Sequence, residues 1–261
     1  MPPPGATAAA GNRGVSKGWR LFAVVLFVAL GLSLLGNLVL SFRGISGAVS
    51  GGSHGHGRHS GDHFMEAVLE DNGAKEKILV IGLDGVIGSQ AVDPDGSTIV
   101  DVIHDQLDRA LHDDSVKAVI LRVDSPGGEV LASDEIYRLL QNFQDHENGK
   151  PVIAQMGNLA ASGGYYVSAP CRWIVANELT MTGSIGVIMH GYNYRGLMDK
   201  VGVRPQVFKS GKFKDMLSPD KTPEEETAEE KAMIQSMIME TFARFKSVVA
   251  EGRKKAAELN Q

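Results

Sequence analysis

The sequence predicts an α/β domain built on a largely parallel, covered sheet, and three features of residues 77–261 point to it. Near-continuous apolar runs recur: "KILVIGLDGVI" from Lys77, "VKAVILRV" over Val116–Val123, "KPVIAQMG" from Lys150 and "RWIVANE" from Arg172. Such runs belong to strands buried on both faces, since half-solvated strands alternate apolar and polar residues. Between them lie stretches with apolar residues at helical spacing, "STIVDVIHDQLDRALHD" (Ser97–Asp113) and "LASDEIYRLLQNFQDH" (Leu131–His146). Glycine-rich turns then stand where strands give way to helices, in "DSPGGEV" (Asp124–Val130) and "AASGGYY" (Ala160–Tyr166). Alternation of strand and helix places the crossovers over the sheet.

The remaining elements follow from local chemistry. Ser97 reads as the N-cap of the first of these helices. "RPQVFKS" (Arg204–Ser210) reads as a further short strand. A long final helix opens at "KTPEEE", with Thr222 as cap, Pro223 in the first turn and Glu225 completing a capping box. Its Met233, Ile234, Met237, Ile238, Phe242 and Phe245 keep helical spacing and read as packing surface. Phe64–Asn72 has the spacing of a short amphipathic helix. The chain shows no internal repeat.

Composition narrows the function. With 261 residues, 43% hydrophobic and 22% charged, the chain has ordinary globular content. A net charge of −5, with no basic stripe interleaved with aromatics, gives no reason to expect nucleic acid. Cys171 is the single cysteine, so no intrachain disulfide forms, and its aromatic-apolar setting reads as packing.

The N-terminal 42 residues predict export. Residues 1–20 carry Arg13, Lys17 and Arg20 without an acid, and form a basic cytoplasmic flank. Residues 21–42, "LFAVVLFVALGLSLLGNLVLSF", are apolar apart from Ser33, Asn37 and Ser41. A helix of that length reaches about 33 Å, enough to cross the hydrocarbon of a bilayer. The basic flank orients it with the N-terminus inside and the remainder outside the cytoplasm. The rival, a cleaved signal peptide with "SGAVS" (Ser46–Ser50) as its site, has an apolar core shorter than this one. Residues 43–76 form a Gly/Ser/His-rich tether. Its His54, His56, His59 and His63 lack a carboxylate scaffold or fixed spacing, so it reads as solvated linker, with no metal site or cofactor expected.

Candidate chemistry concentrates in the glycine turns. Glycine lets the backbone approach a ligand closely, and a helix start offers unpaired N–H groups. Facing one another, the turns would supply two amide donors, from Gly127 or Gly128 and from Gly163, to an oxygen gaining charge in acyl transfer. Each turn alone reads as a tight strand–helix connection, and neither matches a nucleotide-binding pattern. Ser162 would be the nucleophile, but the nearest histidine in sequence, His146, lies 16 residues before it and the next, His190, 28 after. His104, His112 and His146 sit in polar helical surroundings, and only His190 reads as near the core. A lysine of lowered pKa is the other acceptor open to a serine, and "VFKSGKFKDMLSP" supplies Lys209, Lys212 and Lys214 beside apolar neighbours. Spacing does not choose among the three.

In order and separation, "DSPGG", "MGNLAASGGYYVSAP", "TMTGSIGVI" and "VFKSGKFKDMLSP" resemble the signal peptide peptidase A family of membrane-bound Ser-Lys peptidases, from Lys77 to the end. The resemblance implies a Clp-protease/crotonase-like layered fold after a single transmembrane helix. It implies Ser162 as nucleophile, Lys214 as general base, Gly128 and Gly163 as oxyanion donors, and Ser184 as the residue orienting the lysine. It also implies homo-oligomeric rings in which serine and lysine meet across a subunit boundary. The expected substrates are cleaved signal peptides and other membrane-associated peptides, and the expected location is a bacterial cytoplasmic membrane with the catalytic domain outside. Family members continue into a "GR" turn and a "GLVDE"-like strand, whereas this chain stops at "KKAAELNQ", so the C-terminal part of the family domain is expected to be missing. Two rivals are a ring-forming scaffold of the same fold without chemistry, and a crotonase-like acyl-CoA enzyme, which would be cytoplasmic and rely on acids.

Overall fold

A computed structural model describes residues 22, 24–35 and 66–260. Two compact units divide at His59 and Ser60. In the first, residues 22 and 24–35 are helical and exposed. The other residues of the expected 21–42 span, and the tether histidines, lie outside the described residues. Among the described residues no helix is long and apolar enough to cross a membrane.

The second unit is the expected α/β domain. In chain order it holds β1 (Lys77–Asp84), α1 (Ile99–His112), β2 (Val116–Ser125), α2 (Val130–Asp145), β3 (Val152–Ala161), α3 (Gly163–Ser168), β4 (Trp173–Val175), β5 (Met181–Gly183), α4 (Arg195–Lys200) and α5 (Ala228–Leu259). The sheet runs β1-β2-β3-β4, β5 also pairs with β3, and each of these pairings is parallel. The centre of the sheet accounts for the apolar runs. Ile81, Leu83, Val119, Leu121, Val123, Val152, Ala154, Met156 and Ala160 are buried, with Ile103 and Leu107 of α1 and Ile136 and Leu140 of α2 in the same core.

β3 organises the site. Residues 153–155 pair with β4, whereas residues 159–161 pair with β5, so both short strands share one edge. On the other edge the register with β2 shifts between Val123 and Ser125. Asp124 holds that shift: its carboxylate accepts the Leu159 N–H at 3.1 Å and lies against Gly157, where a Cβ would come within 2.8 Å of Oδ2.

Several sequence expectations are corrected. The N-cap of α1 is Thr98, not Ser97, and its capping box closes with Asp101; Ser97 instead donates its N–H to Asp93. The final helix starts at Ala228 under a Thr227–Glu230 box. The Thr222–Glu225 pair, expected to open it, forms a separate turn in which Glu225 accepts the Thr222 N–H at 2.7 Å. Arg204–Ser210 is no strand, because nothing pairs with it among the described residues and Phe208 is 94% exposed. Glu66–Asn72 is irregular and exposed instead of helical. His190 is exposed, not near the core. The fourth apolar run shortens to Trp173–Val175, while β5 and α4 carry too few residues for a periodic signal.

The apolar packing of α5 comes from its second half, while at its start only Glu230 is buried. Phe245, Val248, Gly252 and Ala256 are buried, whereas Met233 and Met237 of the expected stripe are exposed. Gly252 lies directly on the Ala169 carbonyl, so that a Cβ there would clash with backbone. Gly252→Ala is therefore expected to force α5 off the end of α3 and destabilise the chain by about 1–3 kcal/mol despite alanine's better helix propensity. Thermal denaturation measures this; an unchanged or raised melting temperature would contradict the packing.

Candidate active site

The first glycine turn is tied down by backbone bonds. At the end of β2, the Asp124 carbonyl accepts the Gly85 N–H at 2.9 Å, and buried Ser125 takes the Gly127 N–H on its Oγ at 3.0 Å. Ile87 N–H then donates to the Gly127 carbonyl at 2.9 Å and Glu129 N–H to the Ile87 carbonyl at 2.8 Å. Gly128 bridges to Ile87 so closely that no side chain fits. Gly127 sits at φ +92°, a conformation that favours glycine.

The second turn carries the serine. Ser162 joins β3 to α3 at φ 52°, ψ −118°. Such backbone costs a non-glycine residue about 1–3 kcal/mol and persists only where its surroundings enforce it. Here two hydrogen bonds do so: Ser162 N–H donates to the Gly183 carbonyl at 2.9 Å, and its own carbonyl accepts the Tyr166 N–H at 2.9 Å.

The two turns face one another. A Cβ on Gly127 would meet the Gly163 nitrogen at 2.5 Å and the Ser162 Cβ at 2.8 Å. A Cβ on Gly163 would lie 3.3 Å from the Gly128 nitrogen. Among the described residues, neither the Gly128 nor the Gly163 N–H donates to a protein acceptor. Two unspent amides thus lie beside one serine, the arrangement that stabilises an oxyanion.

Ser184 comes to the same place from β5. The parallel register pairs Ala161 with Gly183, so Ser162 and Ser184 follow at the ends of adjacent strands, and Ser184 also has positive φ, at 50°. Lys214 is exposed, and no hydrogen bond or ion pair among the described residues joins it to Ser162. The apolar burial expected around it is not supplied within a single chain. The neighbouring lysines are committed elsewhere. Lys209 pairs with Asp215 at 2.8 Å, and Lys212 pairs with Glu229 while lying over the Phe213 ring. Cys171 is fully buried, and burial pushes its thiol up to about 12.

Residues 144–261 match the model of peptidase family S49. That segment is similar to peptidase family S49. It includes Ser162, Gly163, Ser184 and Lys214, and Gly128 precedes it. Across the wider chain, a protein of Enterococcus faecium named signal peptide peptidase SppA is 38% identical over 199 residues, covering 75% of this chain and 56% of that protein. A protein of Synechocystis named as a protease, slr0021, is 45% identical over 141 residues, covering 54% of this chain and 49% of its own. The chain spans about half the length of these curated relatives. A solved variant of a membrane-bound stomatin-specific protease, in complex with a substrate peptide, is 27% identical, covering 47% of this chain and 51% of that one, with a TM-score of 0.34. The chain resembles the signal peptide peptidase A proteins, as its motifs led one to expect.

Two groups around the S49 segment carried no pattern in the sequence. Behind the serine, Tyr166 donates to Asp134 of α2, a contact 32 positions apart that no spacing rule anticipates. Beside Lys214, the buried Lys221 donates to Glu230 at 2.6 Å and lies 3.4 Å from Asp215. This ties the 209–221 segment to the start of α5. The hydrogen bond from Lys221, then that from Thr227 N–H, holds the Glu230 carboxyl below the usual carboxylate range; the same bond raises Lys221.

The signs of these shifts fix a pH window. The Glu230 contribution is present above its unfolded pKa of about 4.3 and is lost as pH falls through the depressed folded value. The Lys221 contribution is present below its unfolded pKa of about 10.4 and is lost as pH rises through the raised one. Glu230→Gln is therefore expected to lower the melting temperature between about pH 5 and 9, with the gap to wild type closing as pH falls from about 5 to 3. A gap that stays constant over that range would contradict the pairing.

Proposed function

We propose that this chain is a membrane-anchored serine endopeptidase of Clp-protease/crotonase-like fold that cleaves signal peptides or other membrane-associated peptides with a Ser162–Lys214 dyad. The observation that carries this reading is Ser162 at positive φ beside the undonated amides of Gly128 and Gly163. Ser162 Oγ attacks the peptide carbonyl and gives its proton to the neutral Lys214 amine. The carbonyl oxygen takes up negative charge against the Gly128 and Gly163 N–H groups. Lys214 then protonates the leaving amine, and water hydrolyses the Ser162 ester.

The general base is chosen by availability. The amines of Lys209 and Lys212 are engaged by the carboxylates of Asp215 and Glu229, which argues against either reaching Ser162. Lys214 has no such partner among the described residues. Since it is exposed in the single chain, the dyad is completed by a neighbouring copy, as the family resemblance implies, with Ser184 beside Ser162 to receive and orient the amine. Exposed Leu179, Ile188, Tyr192 and Phe208, in the stretch that carries Ser184 and leads to Lys214, supply apolar surface for that contact. The apolar residues of the 21–42 segment, acting as an anchor, would hold the site near peptides left in the bilayer and raise their effective concentration. The scaffold rival shares the exposed lysine but requires an unreactive Ser162.

Ser162→Ala and Lys214→Ala are each expected to lower peptide hydrolysis by about 10³-fold or more with unchanged folding. Coexpression of the two inactive variants is expected to restore part of the activity, because mixed assemblies contain sites with both groups intact. Hydrolysis by Lys214→Ala alone, or no recovery in the mixture, would overturn the shared dyad.

A further inference from the structure

Behind the serine, Tyr166 forms a joint among three helices. It lies one turn into α3, where its N–H donates to the Ser162 carbonyl at 2.9 Å. Its ring is buried edge-on against Tyr137 of α2, with centroids 5.4 Å apart, and against Phe245 of α5, at 5.0 Å. Its hydroxyl donates to Asp134 Oδ1 at 2.6 Å. Asp134 also pairs with Arg138 at 2.6 Å and with Arg244 of α5 at 3.5 Å, while the Arg244 guanidinium lies over the Tyr137 ring.

The far end of α3 is held by the same long helix. Arg253 donates to the carbonyls of Ala169 and Cys171, at 3.1 and 2.6 Å, and Gly252 packs on Ala169. A helix of six residues makes too few internal bonds to hold its own geometry, so α3 is placed by what packs on it: Val167 in the main core, Gly164 against Ser125, and these contacts to α2 and α5. The strained Ser162 backbone takes its position from α3.

We infer that the Tyr166–Asp134 hydrogen bond, clamped by Arg244 of α5, positions Ser162 for attack, so that the seating of α5 sets the reactivity of the nucleophile. This rests on the reading of Ser162 as nucleophile. Tyr166, Asp134 and Arg244 are positioning residues: they act on the serine through α3 and touch no substrate. Burial first, then the bond to Asp134, raises the Tyr166 pKa, so the hydroxyl stays a donor throughout the neutral range.

The test uses the full chain and reports rates per titrated serine, with a fluorophosphonate to count and label sites and a peptide substrate to measure turnover. Tyr166→Phe keeps the ring and removes the hydroxyl. Its phosphonylation rate constant and kcat per site are expected to fall about tenfold, the size of one hydrogen bond to a charged acceptor, with KM within about twofold of wild type. Combining it with Asp134→Leu is expected to cost no more than the larger single effect, since both remove one interaction. A merely structural role would lower the melting temperature or the number of reactive sites and leave the rate per site unchanged; that result overturns the inference. Should Tyr166→Phe fail to fold, Arg244→Gln, at a half-exposed position, is expected to lower the same rate two- to threefold, and an unchanged rate overturns the inference equally. Wild-type protein that is never labelled at Ser162 would instead refute the peptidase reading, and the inference with it.

Discussion

The structure turns on the backbone of one residue. Ser162 leaves β3 at φ 52°, where a side chain is costly, and the chain enters α3 at the next residue. That sharp turn ends the strand and leaves the first amide of α3, at Gly163, without a protein acceptor among the described residues. Every neighbouring element serves to keep the turn in place. β5 supplies the Gly183 carbonyl for the Ser162 N–H, Gly127 has no Cβ to occupy the space that Ser162 needs, and α5 seats the short helix that follows. Because Ser162 holds its β5 bond in register, Ser184 follows Gly183 at the end of the strand next to it.

The charges divide into two groups with different tasks. Around Tyr166, the Asp134 carboxylate is stabilised by a buried tyrosine's hydroxyl and two partly exposed guanidinium groups behind Ser162. Around Lys221, two carboxylates share a buried ammonium at the foot of α5 and fix the segment that carries Lys214. α5 belongs to both groups, through Arg244 and Glu230, so one helix relates the serine to the segment bearing its proposed base. The first half of α5 keeps Met233 and Met237 exposed, and the 179–208 stretch does likewise with Leu179, Ile188 and Phe208. These apolar side chains have no covering element within the described residues.

Sequence reasoning worked where periodicity or steric exclusion wrote directly into residue type. The parallel sheet was legible from the apolar runs of β1, β2 and β3, although only one face is fully buried, as with Ile81 and Leu83 of β1, while Ile78 on the other is exposed. The facing turns were legible because backbone contact demanded glycine at Gly127, Gly128 and Gly163. It failed where tertiary pairing decided. Arg204–Ser210 has strand-like residues but no partner strand, and β5 has three residues that become a strand only because β3 extends beyond β4. Two Thr-x-x-Glu patterns compete to start the last helix, and the second wins because Glu230 closes its box while also meeting Lys221. The Tyr166 joint was invisible, since nothing local relates a tyrosine in α3 to an aspartate in α2 and an arginine in α5. The choice among Lys209, Lys212 and Lys214 was closed to spacing, because it depends on which amines carboxylates have already claimed.

The central claim is that the Gly128 and Gly163 amides receive the oxygen of whatever Ser162 attacks. The most direct measurement is a crystal structure of the full chain after reaction with a fluorophosphonate. The account expects phosphorus bonded to Ser162 Oγ, with the phosphoryl oxygen about 2.7–3.1 Å from both nitrogens. An adduct elsewhere, or a phosphoryl oxygen turned to solvent while those two amides remain unused, would contradict it.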